Sequence, residues 1–236
     1  MEQPNNEHLP MELSSQLVTM MTTEHYNLQT GRSMTISEAH GRASLFVGAV
    51  SSGLIALAFV GQISQLGTPF YVFSLVVLPT LFFMGLITFE RVMQAGAVDV
   101  IYAGGINRIR QLYLEYAPQM QPYFIHATQS DPSFMLSSPN DQQAVGHEVI
   151  QPPWWQVFLS MAGMMAVINS VLAGSFVGLL LAAFTLPLWI CTSAGVVAFL
   201  VSLVLHQRYQ WSQVMRVVRT MRDLFPSQPD MQHTKR

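Results

Sequence analysis

Two long stretches of the chain carry no charged side chain, and they constrain the fold more than any other feature of the sequence. No Asp, Glu, Lys or Arg occurs between Ala43 and Phe89, or between Val149 and Gln207. The helices and strands of a soluble domain need polar outer faces, and runs of this length cannot supply them. The sequence therefore predicts a protein that crosses a membrane several times.

Each uncharged run is long enough for two membrane-spanning helices, since one such helix needs about 20 apolar residues. Gly67, Thr68 and Pro69 are typical of a turn and divide the first run. In the second run, residues 185–187 and residues 173–175 compete as the turn, and we favour 185–187 because the spacing of small residues continues to Ala182. The predicted fold is all-α, with spans at residues 44–65, 70–89, 157–183 and 187–206 paired as two hairpins.

The second predicted span shows how strong the membrane signal is. Leu, Ile, Val and Phe make up most of the sequence between Phe70 and Phe89. At about 0.3–0.6 kcal/mol for each such residue near the helix centre, insertion into the bilayer gains about 4–8 kcal/mol. A large soluble helical core is the alternative, but a core helix of this length would carry a polar stripe.

The positions of the Lys and Arg residues predict the orientation of the spans. None lies in the link between the first two spans or in the link between the last two. Because basic residues collect on the cytosolic side, both termini and the middle segment are expected in the cytosol, with the spans in the plasma membrane. The first residues lack the basic and apolar regions of a cleavable signal peptide, so the first span is expected to direct targeting.

Five segments follow from this topology, and three of them are cytosolic. Residues 35–38, Thr-Ile-Ser-Glu, fit a capping box and are expected to start the helix that leads into the first span. Ile106–Tyr116 and Trp211–Leu224 are typical of amphipathic helices at a membrane surface. The repetition of a hairpin and a basic segment has duplication or convergence as its origin. The segments are an N-terminal arm at 1–43, a transmembrane hairpin at 44–89, a middle segment at 90–156 that ends in a mobile loop, a second hairpin at 157–206 and a basic tail helix at 207–236.

Small residues recur every four positions along two of the spans, and they mark faces on which another helix can pack closely. Lipid gives no hydrophobic drive for helix association, so close backbone contact must supply it. The faces either pack inside the monomer or form a homo-oligomer contact between copies. The rows are Ser44, Gly48, Ser52 and Ala56 in the first span and Ala162, Ala166, Ser170, Gly174, Gly178 and Ala182 in the third, and the candidate assembly residues are Gly48, Ser52, Ala166, Ser170, Gly174 and Gly178.

Two residues inside the spans are candidates for a pore or a hinge. Asn169 is the amide that lies deep within a span, where it either bonds a neighbouring helix or lines a pore. Pro79 lies in the middle of the second span, where it frees a backbone carbonyl and is expected to kink the helix. No Asp, Glu, Lys or Arg lies within any span, which removes the usual groups of proton-coupled transport and voltage sensing.

A collar of charged residues and histidines is expected where the spans meet the cytosol. Arg42 is placed to pair with Glu90 or Glu38, because a hairpin brings the start of the first span beside the end of the second. The collar is either a solvated layer of ion pairs worth about 0–1 kcal/mol each, a set of structural pairs, or a gate whose histidines sense pH. Its members are Glu38, His40, Arg42, Glu90, Arg91, His206 and Arg208.

Several classes of chemistry have no support in the sequence. It contains no hydrolase motif, no phosphate-binding glycine loop and no metal-ligand spacing among its seven histidines. The single cysteine, Cys191, excludes an internal disulfide. The net charge of −2 offers no basic excess for nucleic acid. We therefore expect no enzyme activity, no metal, no cofactor and no nucleic-acid partner.

Three classes of function remain for a chain whose first partner is the lipid bilayer. The favoured class is a self-assembling membrane protein that acts as an oligomeric pore or membrane effector. The alternative is a membrane anchor or scaffold that recruits a cytosolic protein through residues 90–148 and 208–236. A small-solute transporter has the least support, because the four uncharged spans lack a binding group.

Overall fold

Four long helices make up most of the chain that the structure describes. The computed structural model describes residues 15–123 and 160–224, which are helical apart from short turns and include no strand. The helices are α1, Ser15–Ile63; α2, Thr68–Tyr116; α3, Met161–Ala183; and α4, Leu188–Leu224, with a 3-10 helix at Pro118–Tyr123. Each of the four has a stretch long and apolar enough to cross a membrane. The all-helical class and the number of candidate spans are therefore confirmed.

The helix boundaries at both turns agree with the predicted spans. α1 ends at Ile63 and α2 begins at Thr68, both close to the predicted boundaries at 65 and 70. α3 runs without a break through Gly174 to Ala183, so the second turn lies at residues 184–187 and not at residues 173–175. Residues 1–14, 124–159 and 225–236 lie outside the described part of the chain, and they include the predicted mobile loop and the predicted start of the third span.

Both turns hold residues in the left-handed region of the backbone, where a helix cannot continue. The φ angles are 50° at Gln65, 58° at Leu66 and 58° at Thr185. The Leu66 N–H donates to the Gly61 carbonyl oxygen at 2.9 Å, which satisfies one of the carbonyls left free at the end of α1. The turns therefore terminate the helices by hydrogen bonding as well as by the presence of Pro69 and Pro187.

The helix that leads into the first span begins far earlier than the sequence predicted. α1 starts at Ser15, so Thr35 lies inside the helix and the prediction that a capping box begins there was wrong. The physical reason is continuity, because the chain has no proline between Pro10 and Pro69 to interrupt helical hydrogen bonding. A capping pattern starts a helix only where the preceding residues leave it.

The two amphipathic segments are not separate helices. Ile106–Tyr116 is the last part of α2, and the described segment from Trp211 is the last part of α4. No proline lies between Pro79 and Pro118, and α2 ends just before Pro118, as expected from the restriction that a proline places on the residue before it. The predicted breaks at the ends of the spans therefore do not occur.

Two compact units can be distinguished along the chain, and we name them by their content. The apolar unit comprises residues 35–98 and 160–220 and contains the uncharged stretches of all four helices. The arm unit comprises, among the described residues, 15–34, 99–123 and 221–224. α1 and α2 each contribute residues to both units as one continuous helix.

The core of the apolar unit is formed by α1, α2 and α3. Phe46 of α1 and Leu78 of α2 are buried to 1% and 2% exposure, and Ala166 of α3 is fully buried in the same hydrophobic cluster. α4 joins the unit through its contact with α3, while Leu200 and Val201 of α4 remain more than half exposed. Exposed apolar side chains of this kind are the ones that a lipid environment covers.

Candidate functional site

All four helices of the apolar unit meet at one point, which we name the junction. It consists of Phe46 from α1, Gly85 from α2, Asn169 from α3 and His206 from α4, of which Asn169 is fully buried and His206 is 7% exposed. A Cβ on Gly85 would lie 2.8 Å from Phe46 Cζ and 2.8 Å from Asn169 Cγ. No side chain larger than that of glycine fits at position 85 without moving its neighbours.

The Asn169 amide bonds the backbone of α2 at the junction. The two ends of an amide are assigned from the hydrogen bonds that they make. In the orientation that satisfies both, Nδ2 donates to the Phe82 carbonyl oxygen at 3.1 Å and Oδ1 accepts from the Leu86 N–H at 3.2 Å. Phe82 and Leu86 are one helical turn apart on either side of Gly85. The missing side chain of Gly85 is what lets the amide reach the backbone.

His206 is held in the interior beside Asn169. Its Nδ1 lies 2.8 Å from the Ser202 carbonyl oxygen, which can only accept, so Nδ1 carries a proton and donates. Its Nε2 lies 3.4 Å from the Asn169 amide. The Phe89 ring packs edge-on against the imidazole with the ring centroids 5.1 Å apart. His206 was predicted as a member of the exposed collar, and the structure instead places it in a buried contact with Asn169.

The other collar residues form small separate pairs. Arg42 Nη2 lies 2.8 Å from Glu38 Oε1, so Arg42 pairs with Glu38 within α1 and not with Glu90. Glu90 accepts a hydrogen bond of 2.6 Å from the Tyr209 hydroxyl of α4. Arg91 donates to Gln94 at 3.3 Å. His40 and Arg208 are exposed on the surface, and the predicted collar is not one connected group.

The small-residue row of α3 is used inside the monomer. A Cβ on Gly174 would lie 2.7 Å from the Gly195 carbonyl oxygen and 3.0 Å from Phe199 Cβ, and a Cβ on Gly178 would lie 3.4 Å from the Cys191 carbonyl oxygen. These atoms belong to α4, so glycines bring the two backbones into contact. Ala166 and Ser170, from the same row, are fully buried.

The small-residue row of α1 is open. Ser44, Gly48 and Ser52 are exposed, and a Cβ on Gly48 would meet no atom within 4 Å. Ser52 Oγ donates to the Gly48 carbonyl oxygen at 2.9 Å, which satisfies its hydroxyl within the helix. Of the two rows, this one has no helix packed against it in the described part of the chain.

Two clefts on the apolar unit are lined by uncharged side chains. The larger, with a volume of about 650 Å³, lies between α3 and α4 and includes Gly174, Cys191 and Phe199 in its lining. The smaller, of about 400 Å³, lies among α1, α2 and α3. Neither cleft offers an acid, a base or a charged group, so the arrangement suits hydrocarbon chains and not polar chemistry.

Pro79 lies inside α2, which continues through it as one helix. A proline has no N–H, so the carbonyl four residues earlier loses its helical partner. Thr80 beside it donates its hydroxyl to the Val76 carbonyl oxygen at 2.8 Å. The role of Pro79 as a hinge stays a prediction.

The arm unit contains a charged group that sequence analysis missed. Arg32 Nε of α1 lies 2.6 Å from Asp99 Oδ1 of α2, and Arg32 Nη2 lies 3.3 Å from the other carboxylate oxygen. Burial, followed by the charge of Arg32, lowers the pKa of Arg110. Burial, followed by the charge of Arg110, lowers the pKa of His25. The spacing of His25 and Arg32 along α1 by two helical turns, which puts both on one helix face, was the available signal.

Comparison with known protein families, with curated proteins and with solved structures finds no match to this chain. Within residues 15–123 and 160–224, no group of three or more His, Cys, Asp or Glu side chains is placed to hold a metal ion. Function is therefore inferred from the geometry of the two units alone.

Proposed function

We propose that this chain is a non-enzymatic, multi-pass anchor of the plasma membrane that holds a helical arm in the cytosol for a protein partner. In the proposed topology, α1 with α2 and α3 with α4 form two transmembrane hairpins, and both termini are cytosolic. The Lys and Arg positions support this orientation, because neither turn contains a basic residue.

One observation carries the proposal, which is the continuation of α1 and α2 beyond their uncharged stretches. α1 is helical from Ser15 up to Arg42, and α2 remains helical from Glu90 to Tyr116. At about 1.5 Å per residue, each extension is about 40 Å long. The two extensions contact each other in the arm unit through Arg32 and Asp99. A pair of helices packed in this way is a preformed surface for a partner.

The apolar unit supports an anchor better than a pore within one monomer. Asn169 and Ser170, the polar side chains in the middle of α3, are fully buried and hydrogen-bonded, and neither faces a water-filled path. The favoured function from the sequence, a self-assembled pore, therefore requires a second copy of the chain.

Topology is testable with single cysteines, because the chain has one cysteine, Cys191, to remove. In a Cys191→Ala background, a cysteine at Gln65 or Thr185 should react with an impermeant maleimide added outside intact cells. A cysteine at Ser33 should react only after the cells are permeabilised. Labelling of Ser33→Cys from outside would contradict the proposed orientation.

Partner recruitment is testable by photo-crosslinking in cells. A photoreactive residue at Tyr26, which is 64% exposed on the arm, should crosslink to one soluble protein. The same residue at Leu200 of α4, 51% exposed, is the matched control and should crosslink to lipid only. If the arm position gives no protein product and the purified protein conducts ions in planar bilayers, the anchor proposal is wrong.

A second candidate function, self-assembly, is favoured by the open row of α1. Gly48→Leu should reduce the mass of the protein in nanodiscs or mild detergent, measured by light scattering after size exclusion. Thr80→Leu, at an exposed position of α2, is the control and should leave the mass unchanged. Equal masses for the native protein and both variants would argue against an oligomer contact at Gly48.

A further inference from the structure

α1 and α2 meet along a seam in the arm unit. Arg32 pairs with Asp99, a Cβ on Gly31 would lie 3.0 Å from the Tyr102 ring, and a Cβ on Gly105 would lie 3.1 Å from a methyl group of Leu28. Each step toward lower numbers on α1 is thus matched by a step toward higher numbers on α2. One further turn along the same faces brings His25 to the turn of Arg110.

Positive charge at this end of the seam is not balanced. Asp99 is engaged by Arg32 through both of its oxygens. Arg110 is half-buried, and its hydrogen bond in the described part of the chain goes to the neutral Asn107 Oδ1 at 3.4 Å. No carboxylate lies within ion-pair distance of Arg110 among the described residues, where the ion pairs are Arg32–Asp99 and Arg42–Glu38.

His25 adds an unused hydrogen-bonding group at the same place. Its Nδ1 is buried and has no hydrogen-bond partner. Leaving a buried polar atom without a partner costs about 1–3 kcal/mol, so such an atom asks for an explanation such as an absent ligand. The burial and mutual repulsion that lower the pKa values of His25 and Arg110 describe the same excess of positive potential.

We propose that His25 and Arg110 bind a phosphate-type oxyanion between α1 and α2. The Arg110 guanidinium donates paired hydrogen bonds to two oxygens of the anion, and the protonated His25 Nδ1–H donates to a third. Two cationic groups suit a dianion better than a single carboxylate, because a dianion neutralises both. This site goes beyond the proposed anchor function and does not depend on a protein partner.

The anion is expected from solution and not from a lipid headgroup. Arg110 lies far beyond Phe89 along α2, and His25 lies far ahead of Ala43 along α1, with unbroken helix between them in each case. At about 1.5 Å per residue these helical lengths are about 31 Å and about 27 Å, whereas each headgroup layer is about 5–8 Å thick. The extensions are therefore long enough to carry the seam past the lipid phosphates.

The test is a titration of the full chain in phosphatidylcholine nanodiscs with inorganic phosphate, followed by calorimetry. We expect saturable binding that Arg110→Gln and His25→Leu each weaken at least tenfold. Arg108→Gln is the matched control, because Arg108 is exposed nearby on the same helix and should keep native affinity. Absence of saturable binding below 10 mM phosphate (about 2.7 kcal/mol or weaker) would overturn the site, and so would native affinity in Arg110→Gln.

Two further measurements separate the site from loss of folding and from lipid binding. In 15N spectra, the imidazole signal that disappears in His25→Gln should shift when phosphate is added to the native chain, and should not shift in Arg110→Gln of native helicity. In phosphate-free nanodiscs that contain phosphatidic acid, the same signal should keep its position. A shift caused by the lipid and not by phosphate would assign the site to headgroups and overturn the proposal of a soluble anion.

Discussion

A buried amide in an apolar unit needs partners for both of its ends, and Asn169 finds them on the backbone of α2. The Phe82 carbonyl and the Leu86 N–H flank Gly85, whose missing side chain gives the amide access. Sequence reasoning identified Asn169 and His206 separately, with different roles, and did not identify Gly85 or Phe46. The missing information is helix rotation, because the phase of four helices around one point is set only when they pack.

Gly85→Ala tests the close contact at the junction. The added methyl group would overlap Asn169 and come within 2.8 Å of Phe46 Cζ, and overpacking of this kind costs about 1–3 kcal/mol. We expect lower stability in heat or SDS unfolding followed by circular dichroism. Gly96→Ala on the same helix, where a Cβ meets nothing within 4 Å, should be neutral or stabilising by up to about 1 kcal/mol. Equal stabilities of the two variants would show that position 85 is not constrained.

His25 should make the arm unit less stable in acid. Burial and then the charge of Arg110 lower the pKa of His25, so the folded state favours the neutral ring. Its contribution is present above the ordinary histidine pKa, about 6.5, and is lost as the pH falls from there through the lowered folded value. Amide exchange of residues 20–32 in chloride buffer, corrected for intrinsic rates, should show less protection at pH 5.5 than at pH 7.5. His25→Gln should reduce this difference, and an unchanged difference would assign it to other groups.

At the scale of elements, the two rows of small residues have different surroundings although their spacing is the same. The row of α3 contacts α4 through backbone atoms, and the row of α1 is open. Lipid-exposed and packed small residues obey one sequence pattern, because both lie on one face of a helix. Which row is buried depends on which helix lies beside it, and this information is not local.

Gly174→Leu should destabilise the monomer itself. The first added carbon would lie 2.7 Å from the Gly195 carbonyl oxygen, a backbone atom that moves only if α4 moves. We expect a loss of about 1–3 kcal/mol of stability in detergent, with no native protein recovered at its usual unfolding temperature. Gly48→Leu, made at an open position with the same change in volume, should leave monomer stability unchanged. Similar unfolding of the two variants would contradict the difference between the rows.

At the scale of the whole molecule, the helices and the compact units do not share boundaries. α1 and α2 run through both units, so the end of an uncharged stretch is not the end of a helix. Charge patterning locates where a chain leaves hydrocarbon, whereas helix ends depend on proline, on turn residues and on free carbonyl groups. The prediction of separate surface helices failed because it treated these two boundaries as one.

The sequence by itself determined that this chain is helical, that it has four stretches able to span a membrane, and that the turns between them lie near Pro69 and Pro187. These properties follow from local quantities, namely hydropathy, charge and turn chemistry along consecutive residues. Tertiary structure alone decided that Asn169 meets Gly85, that the row of α3 faces α4, and that His25 lies at the turn of Arg110. Each of these joins residues on different helices, and their contact depends on the rotation and register of packed helices, which no local pattern specifies.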